Sequence, residues 1–236
     1  MAKPAPLHAE VDHLVVAGRT LDECVQWSEA TLGLTPGPGG AHPLMGTHNR
    51  LLLCSGNGFP RCYLELIAIE RGKTPTRPAG HKRWFDLDDE LLRVTLQRKG
   101  PRLIHFAARV PDAHRAVQAL AGGVPGIDRG EVLEASRDTP AGRLEWQITV
   151  RLDGQRLMYG ALPTLIQWGT VHPTDSMPAA GLELVSLTAT HPRADMLRDA
   201  YARIGLSGVD VLGGTPNLVA SLRTPRGLVT LESEGH

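Results

Sequence analysis

The chain predicts an α+β fold of repeated β-α-β-β-β modules, and three observations carry that expectation. An apolar strand, Val11-Asp12-His13-Leu14-Val15-Val16, is followed by a helix ending at Leu32-Gly33-Leu34 and a closing strand, Tyr63-Leu64-Glu65-Leu66-Ile67. The same succession restarts at Leu103-Ile104-His105-Phe106-Ala107-Ala108 and closes on Leu165-Ile166-Gln167-Trp168. A third, weaker copy begins at Leu184-Val185-Ser186-Leu187-Thr188-Ala189.

The first module spans residues 10–70. Its opening strand covers 11–18. Thr20-Leu21-Asp22-Glu23 matches a capping box, with the Thr hydroxyl and the Glu carboxylate serving free N–H groups. Leu21, Cys24 and Val25 line one stripe of the helix that follows, and Gly33 stops it. Pro36-Gly37-Pro38-Gly39-Gly40 is a turn-rich loop. It follows a helix rather than opening one and lacks a Lys-Ser/Thr ending, which argues against phosphate binding. Strands at Leu51–Cys54 and Tyr63–Ile69 complete the module.

Residues 71–102 shift to Pro, Gly and charge. They read as a connector with a short helix at Asp88-Asp89-Glu90-Leu91-Leu92. The second module, 103–169, opens with a strand at 103–110. Asp112 caps a helix His114–Ala121, and strands follow near 131–136, 144–151 and 163–168. The third module, 182–233, places Pro192 in the first turn of a helix. That helix has its face on Leu197, Ala200, Tyr201 and Ile204, Gly205 as its stop, and a hairpin of 218–222 and 228–232 after it.

At 236 residues and 42% hydrophobic, the composition is that of a globular protein. Lys plus Arg and Asp plus Glu balance at 25 each, and no basic stripe stands out. Nucleic acid and an anionic membrane surface are therefore not expected as partners. No run reaches signal-peptide or membrane-spanning length, so a cytoplasmic protein is expected. Cys24, Cys54 and Cys62 are odd in number and form no C-x-x-C pair, and they read as small core residues.

Modules one and two, side by side, would bring two His, one Glu and one Gln towards one point, which is a candidate metal site. The pattern of Asp12 to Val16 and Tyr63 to Leu66 resembles the vicinal oxygen chelate superfamily, and more narrowly its glyoxalase-like domain proteins. The closer match rests on His42-Pro43-Leu44-Met45-Gly46-Thr47-His48-Asn49, Arg83-Trp84-Phe85 and Leu162-Pro163-Thr164-Leu165-Ile166-Gln167-Trp168. It covers roughly residues 10–233.

The resemblance implies the glyoxalase/bleomycin-resistance/extradiol dioxygenase fold, in which paired modules curl into a cup around a divalent metal. Residue by residue, it places metal ligands at His13, Glu65, His105 and Gln167. The third module offers Ser186 or Leu187 and then Leu231 at those positions, with Glu232 turned to the other face, and so reads as ligand-free. Two His and a carboxylate suit Fe, Zn, Ni or Mn, and Gln167 in place of an acid would leave the metal a stronger Lewis acid. The bland alternative stays open: a His on an apolar strand is often a hydrogen-bonded core residue, and Gln167 can bond neighbouring backbone.

Glu65 and His48 are the candidate catalytic residues, and His42, Asn49, Arg83 and Trp84 the candidate substrate contacts. Loop architecture is the other reading of His42, His48 and Asn49. Anchoring of the connector is the other reading of the aromatic pair. The expected function is a metal-dependent glyoxalase-like enzyme, a lyase, isomerase or dioxygenase, acting on a small oxygenated substrate. The alternatives are a metal-independent small-molecule binding protein and a structural partner domain. The cup forms either within one chain or between two, the second giving a homodimer.

Overall fold

The computed structural model describes residues 6–139 and 142–235. Strand β1 (Glu10–Ala17), helix α1 (Leu21–Thr31), β2 (Ala41–His42), β3 (Thr47–Leu53) and β4 (Tyr63–Ile69) form the first module. Strand β5 (Arg102–Arg109), helix α3 (Ala113–Ala121), β6 (Glu131–Thr139), β7 (Gly142–Val150) and β8 (Thr164–Trp168) form the second. Between them, α2 (Glu90–Lys99) belongs to the connector. The eight strands make one curled sheet in the order β2-β3-β4-β1-β5-β8-β7-β6, so the modules join edge to edge through antiparallel β1 and β5 of the same chain.

The last third contributes β9 (Glu183–His191), α4 (Ala194–Ile204), β10 (Val209–Gly213), β11 (Asn217–Thr224) and β12 (Gly227–Glu232). The succession of elements matches the first two modules, but the pairing does not. Its sheet runs β10-β9-β11-β12, with β9 internal and β10 parallel to it. In the first module the corresponding opening strand β1 neighbours its own module's last strand, β4. The third unit is therefore a related run of elements in a different sheet.

Strand alternation sorts the side chains into two cores. On β1, Leu14 and Val16 face the convex side, and on β4 Leu64 and Leu66 do the same. They pack with Leu32, Phe106 and Leu120, and with Leu187, Leu218 and Leu222 from the third unit. That unit covers the convex face between α1 and α3, fixed in part by the Tyr201 hydroxyl donating to the Ala161 carbonyl at 2.6 Å. On the concave side, Val15, Ala17, Ile67 and Ala107 meet Trp84, Phe85, Leu87, Leu92 and Leu96 of the connector. The connector thus packs into the cup.

Local signals explain most element ends. The Thr20 hydroxyl accepts from the Glu23 N–H at 3.1 Å, as the capping box requires. The Glu23 carboxylate does not complete the box; it accepts from Arg19 at 2.6 Å instead. Gly33 (φ +74°) and Gly205 (φ +66°) take left-handed conformations that end α1 and α4. Helix α2 extends well beyond the short segment expected, because Leu92, Thr95 and Leu96 supply a buried stripe and Arg98 and Lys99 close its last turn. Pro192 lies before the α4 cap at Arg193 rather than in the first helical turn.

Candidate functional site

The cup is organised by a break in strand alternation. Along the β1–β5 pair, Val11 is registered with Ala108 and His13 with Ala107, so Asp12 occupies a bulge. Asp12 and His13, adjacent in sequence, therefore meet on one side of the sheet. Asp12 is completely buried. Its Oδ1 accepts from His13 Nδ1 at 2.6 Å; its Oδ2 accepts from His172 Nε2 at 2.9 Å and from Trp168 Nε1 at 3.0 Å. Burial alone would raise the Asp12 pKa. The hydrogen bonds and charges of His13 and His172 outweigh it and hold the carboxyl well below its ordinary range.

With Nδ1 donating to Asp12, the other nitrogen of His13 faces the cup, where Nε2 lies 3.7 Å from Glu65 Oε2. The Tyr63 ring stacks on the imidazole at 4.6 Å between centroids and limits its rotation. Glu65 is held from its other oxygen, Oε1, by Asn49 Nδ2 at 2.6 Å. The orientation of the Asn49 amide follows from its partners: the Gly40 N–H can only donate, and it donates to Asn49 Oδ1 at 2.8 Å. The NH2 group is thus left for Glu65 and for His42 Nε2 at 3.3 Å.

His42 is completed by the Thr47 hydroxyl at 3.1 Å from Nδ1. Burial, reinforced by the charge of Arg137, pulls the His42 pKa down to about 3, so it acts as a neutral support for Asn49. The glycine-rich loop serves the same support. A Cβ on Gly39 would lie 2.1 Å from the Asn49 carbonyl oxygen, so the close approach of loop and strand requires glycine.

Trp84, Phe85, Leu144, Trp146, Ile148 and Ile166 wall the cup, and about 30 Å³ is open to the centres of water molecules, room for about two waters. Two buried donors associated with the wall have no partner: Trp84 Nε1 and Arg137 Nε.

Several expected site residues lie elsewhere. His105 is spent on internal hydrogen bonds. Its Nδ1 donates to the Gly160 carbonyl at 2.8 Å, and its Nε2 accepts from the Thr164 N–H at 3.1 Å. Burial drives its pKa well down, and no lone pair is left for a metal. Gln167 faces away from the cup, since Ile166 and Trp168 on either side line it. The Gln167 Oε1 accepts from the Ala113 N–H at 2.9 Å, at the start of α3.

His48 also faces away, because Thr47, Asn49 and Leu51 take the inward positions of β3. Arg83 turns back into the connector, bonding Asp88 at 2.6 Å and the Lys73 carbonyl at 3.2 Å. His42, Asn49, Trp84, His13 and Glu65 are the expected residues that share the cup.

Of the four expected metal ligands, only His13 and Glu65 are close together. Among the described residues no three His, Cys, Asp or Glu side chains are arranged to hold a metal ion. The donor set therefore does not fit the expected metal. Asp12, His172, Tyr63, Trp168 and Arg137 complete the site without having been singled out in the sequence. Two consecutive polar residues inside an apolar strand are the local trace of Asp12. His172 has none, since it meets Asp12 across 160 positions.

Comparison with solved structures places this architecture among known folds. A hypothetical protein from Staphylococcus aureus is 14% identical, with a TM-score of 0.56, over 88% of this chain and 87% of its own. A Streptomyces coelicolor methylmalonyl-CoA epimerase in complex with 2-nitronate-propionyl-CoA is 20% identical, with a TM-score of 0.39, over 69% of this chain and 96% of its own. No curated protein matches. The glyoxalase-like domain model matches residues 11–205, and with it the chain belongs to the glyoxalase-like domain family.

Proposed function

We propose that the chain is an acid–base enzyme of the isomerase or lyase type, moving a proton on a small oxygenated molecule held in the cup. The observation that carries this reading is the Asp12–His13 pair, whose outward Nε2 stands 3.7 Å from a Glu65 oxygen inside a buried, aromatic-walled cleft. Two groups that give and take protons at neighbouring points are what a proton abstraction and return requires. Asp12 sets the His13 tautomer and ring orientation, as a buried carboxylate behind an imidazole does in other acid–base sites. Asn49 fixes Glu65 through one oxygen and leaves the other turned to the cup.

In this reading Glu65 or His13 removes the proton from a carbon next to a carbonyl. The other group gives a proton back, at the same carbon or at the neighbouring oxygen. The unpartnered Nε1 of the wall residue Trp84 is a donor for an oxygen on which negative charge develops. No step is routed through a metal, because His105 and Gln167 are committed elsewhere.

Hydrogen exchange in D2O tests the reading. α-Hydroxy ketones, β-dicarbonyl compounds and acyl thioesters are followed by proton NMR for enzyme-dependent loss of the C–H signal. Exchange with at least one class, abolished in His13→Ala and Glu65→Gln but kept in Gln167→Ala, is the expected result. Equal exchange by the wild type and His13→Ala would overturn it. Binding without exchange would instead support the alternative of a small-molecule binding protein.

A further inference from the structure

Beside the cup runs a second, larger cleft of about 500 Å³, within the usual range of small-molecule pockets. It shares Leu51, Arg137, Leu144 and Pro173 with the cup, so the two spaces meet at these residues. Its wall is apolar, with Leu34, Leu53, Met177 and Ala180 among the lining residues, and Arg137 is the one charged side chain lining it among the described residues.

Arg137 is placed unlike two arginines that flank the Asp12–His172 cluster. Arg109 pairs with Glu10, and Arg61 with Asp175. Arg137, on β6, has no carboxylate partner among the described residues. Its contact is a long 3.5 Å hydrogen bond from Nη1 to Asn49 Oδ1, and its Nε is buried without any partner. A half-buried guanidinium at an apolar junction, with a buried N–H left unbonded, is a place where an anion can offset the cost of burying the charge. Its planar fork suits a carboxylate bidentately.

We infer that the cup and the adjoining cleft together bind an amphipathic carboxylate, with Arg137 on the carboxylate and the apolar chain lying along Leu53, Met177 and Ala180. The inference deepens the acid–base reading and rests on it for the reacting end. Asn49 touches both Arg137 and Glu65, so the carboxylate sits one amide away from the proton-transferring pair. The apolar cleft then selects substrates with a hydrocarbon chain, and the narrow cup accepts only their small oxygenated end.

Equilibrium binding of octanoate, 1-octanol and acetate, read by tryptophan fluorescence and checked calorimetrically, tests the inference. Octanoate should bind about tenfold or more tightly than either 1-octanol, which lacks the charge, or acetate, which lacks the chain. Arg137→Gln should weaken octanoate by about the same factor and leave 1-octanol unchanged, while Arg137→Lys recovers part of the loss. Leu53→Asn should weaken octanoate and spare acetate, and unchanged circular dichroism confirms that each variant folds. Equal affinity for octanoate and 1-octanol, equal affinity for octanoate and acetate, or no effect of Arg137→Gln would overturn the proposal. The two readings fail separately. Proton exchange on small substrates without octanoate binding sinks the amphipathic ligand alone; octanoate binding without exchange sinks the acid–base reading alone.

Discussion

Thr164 stands to His105 as Glu65 stands to His13. On β1, Val15 is registered with Glu65; on β5, Ala107 is registered with Thr164; and each of these strand residues lies two positions after its histidine. Both histidines also follow a bulge, at Asp12 in one strand and Ile104 in the other. The modules thus carry equivalent pairs with opposite outcomes. The second module closes its histidine on a threonine hydroxyl at 3.0 Å and on backbone, whereas the first leaves an imidazole nitrogen facing a carboxylate across 3.7 Å. One half of the cup is structural and the other is chemically equipped.

Thr164→Val tests the structural half. The hydroxyl lies between His105 and the completely buried guanidinium of Arg129, which donates to it. Its removal leaves a buried charged donor short of an acceptor, and stability should fall by about 1–3 kcal/mol. Urea denaturation at neutral pH measures the loss.

Asp12→Asn tests the other half. An amide cannot accept from His13, His172 and Trp168 as a carboxylate does, and one of its atoms becomes a donor facing donors. A loss of about 2–4 kcal/mol is expected at pH 7, with proton exchange sharply reduced. Because the folded Asp12 pKa is depressed, its contribution is present above the unfolded value of 3.8 and is lost as pH falls below it. The gap between wild type and variant, read from urea midpoints, should accordingly narrow below about pH 4.

Acid sensitivity should begin earlier, through two buried neutral histidines. His42 titrates near 3 and His105 well below its ordinary value, whereas both take up protons near 6.5 once unfolded. The unfolded chain therefore binds more protons, and stability is lost as pH falls from 6.5 towards 3. The slope is about 1.4 kcal/mol per pH unit for each imidazole. His42→Gln keeps an acceptor for Asn49 and should flatten the profile between pH 6.5 and 4.5. An unchanged slope would mean that His42 already carries a proton in the fold.

Gly39→Ala probes the second line of support. Its Cβ would meet the Asn49 backbone at 2.1 Å and the side-chain oxygen at 2.3 Å, so loop and strand must separate. A loss of about 1–3 kcal/mol is expected, together with weaker exchange activity as Glu65 loses its fixed partner. Alanine at Gly58, where a Cβ would meet nothing within 4 Å, controls for generic loop effects but retains the strain of a positive φ.

Periodicity and caps made the module order readable, because each depends on neighbours a few residues apart. Thr20, Gly33, Asp112 and Gly205 mark their helix ends through local chemistry alone. The site was half readable. His13, Glu65, His42 and Asn49, named through the family resemblance, do share the cup. Gln167 was misplaced because its strand is registered so that Ile166 and Trp168 face inward, a one-residue matter of parity. His105 had the right place and the wrong neighbours: Gly160 and Thr164, more than fifty residues away, take both ring nitrogens. Short strand β10 and the different order of the last sheet left no local pattern, since pairing partners are chosen by tertiary packing.

The two faces of the curled sheet divide the chain's inheritance. Residues such as Leu14, Val16, Leu64 and Leu66 lock into the convex core with the third unit, and changing them endangers folding for every descendant. Their immediate neighbours on the same strands face the concave side, where Val15 and Ile67 belong to the second core and His13 and Glu65 line the cup. A lineage, or a laboratory selection, can thus change what lines the cup at His13 and Glu65 without touching the convex core. Asp12 is the exception: displaced onto the reactive side by its bulge yet wholly buried, it is the position at which a change of chemistry and a loss of the fold arrive together.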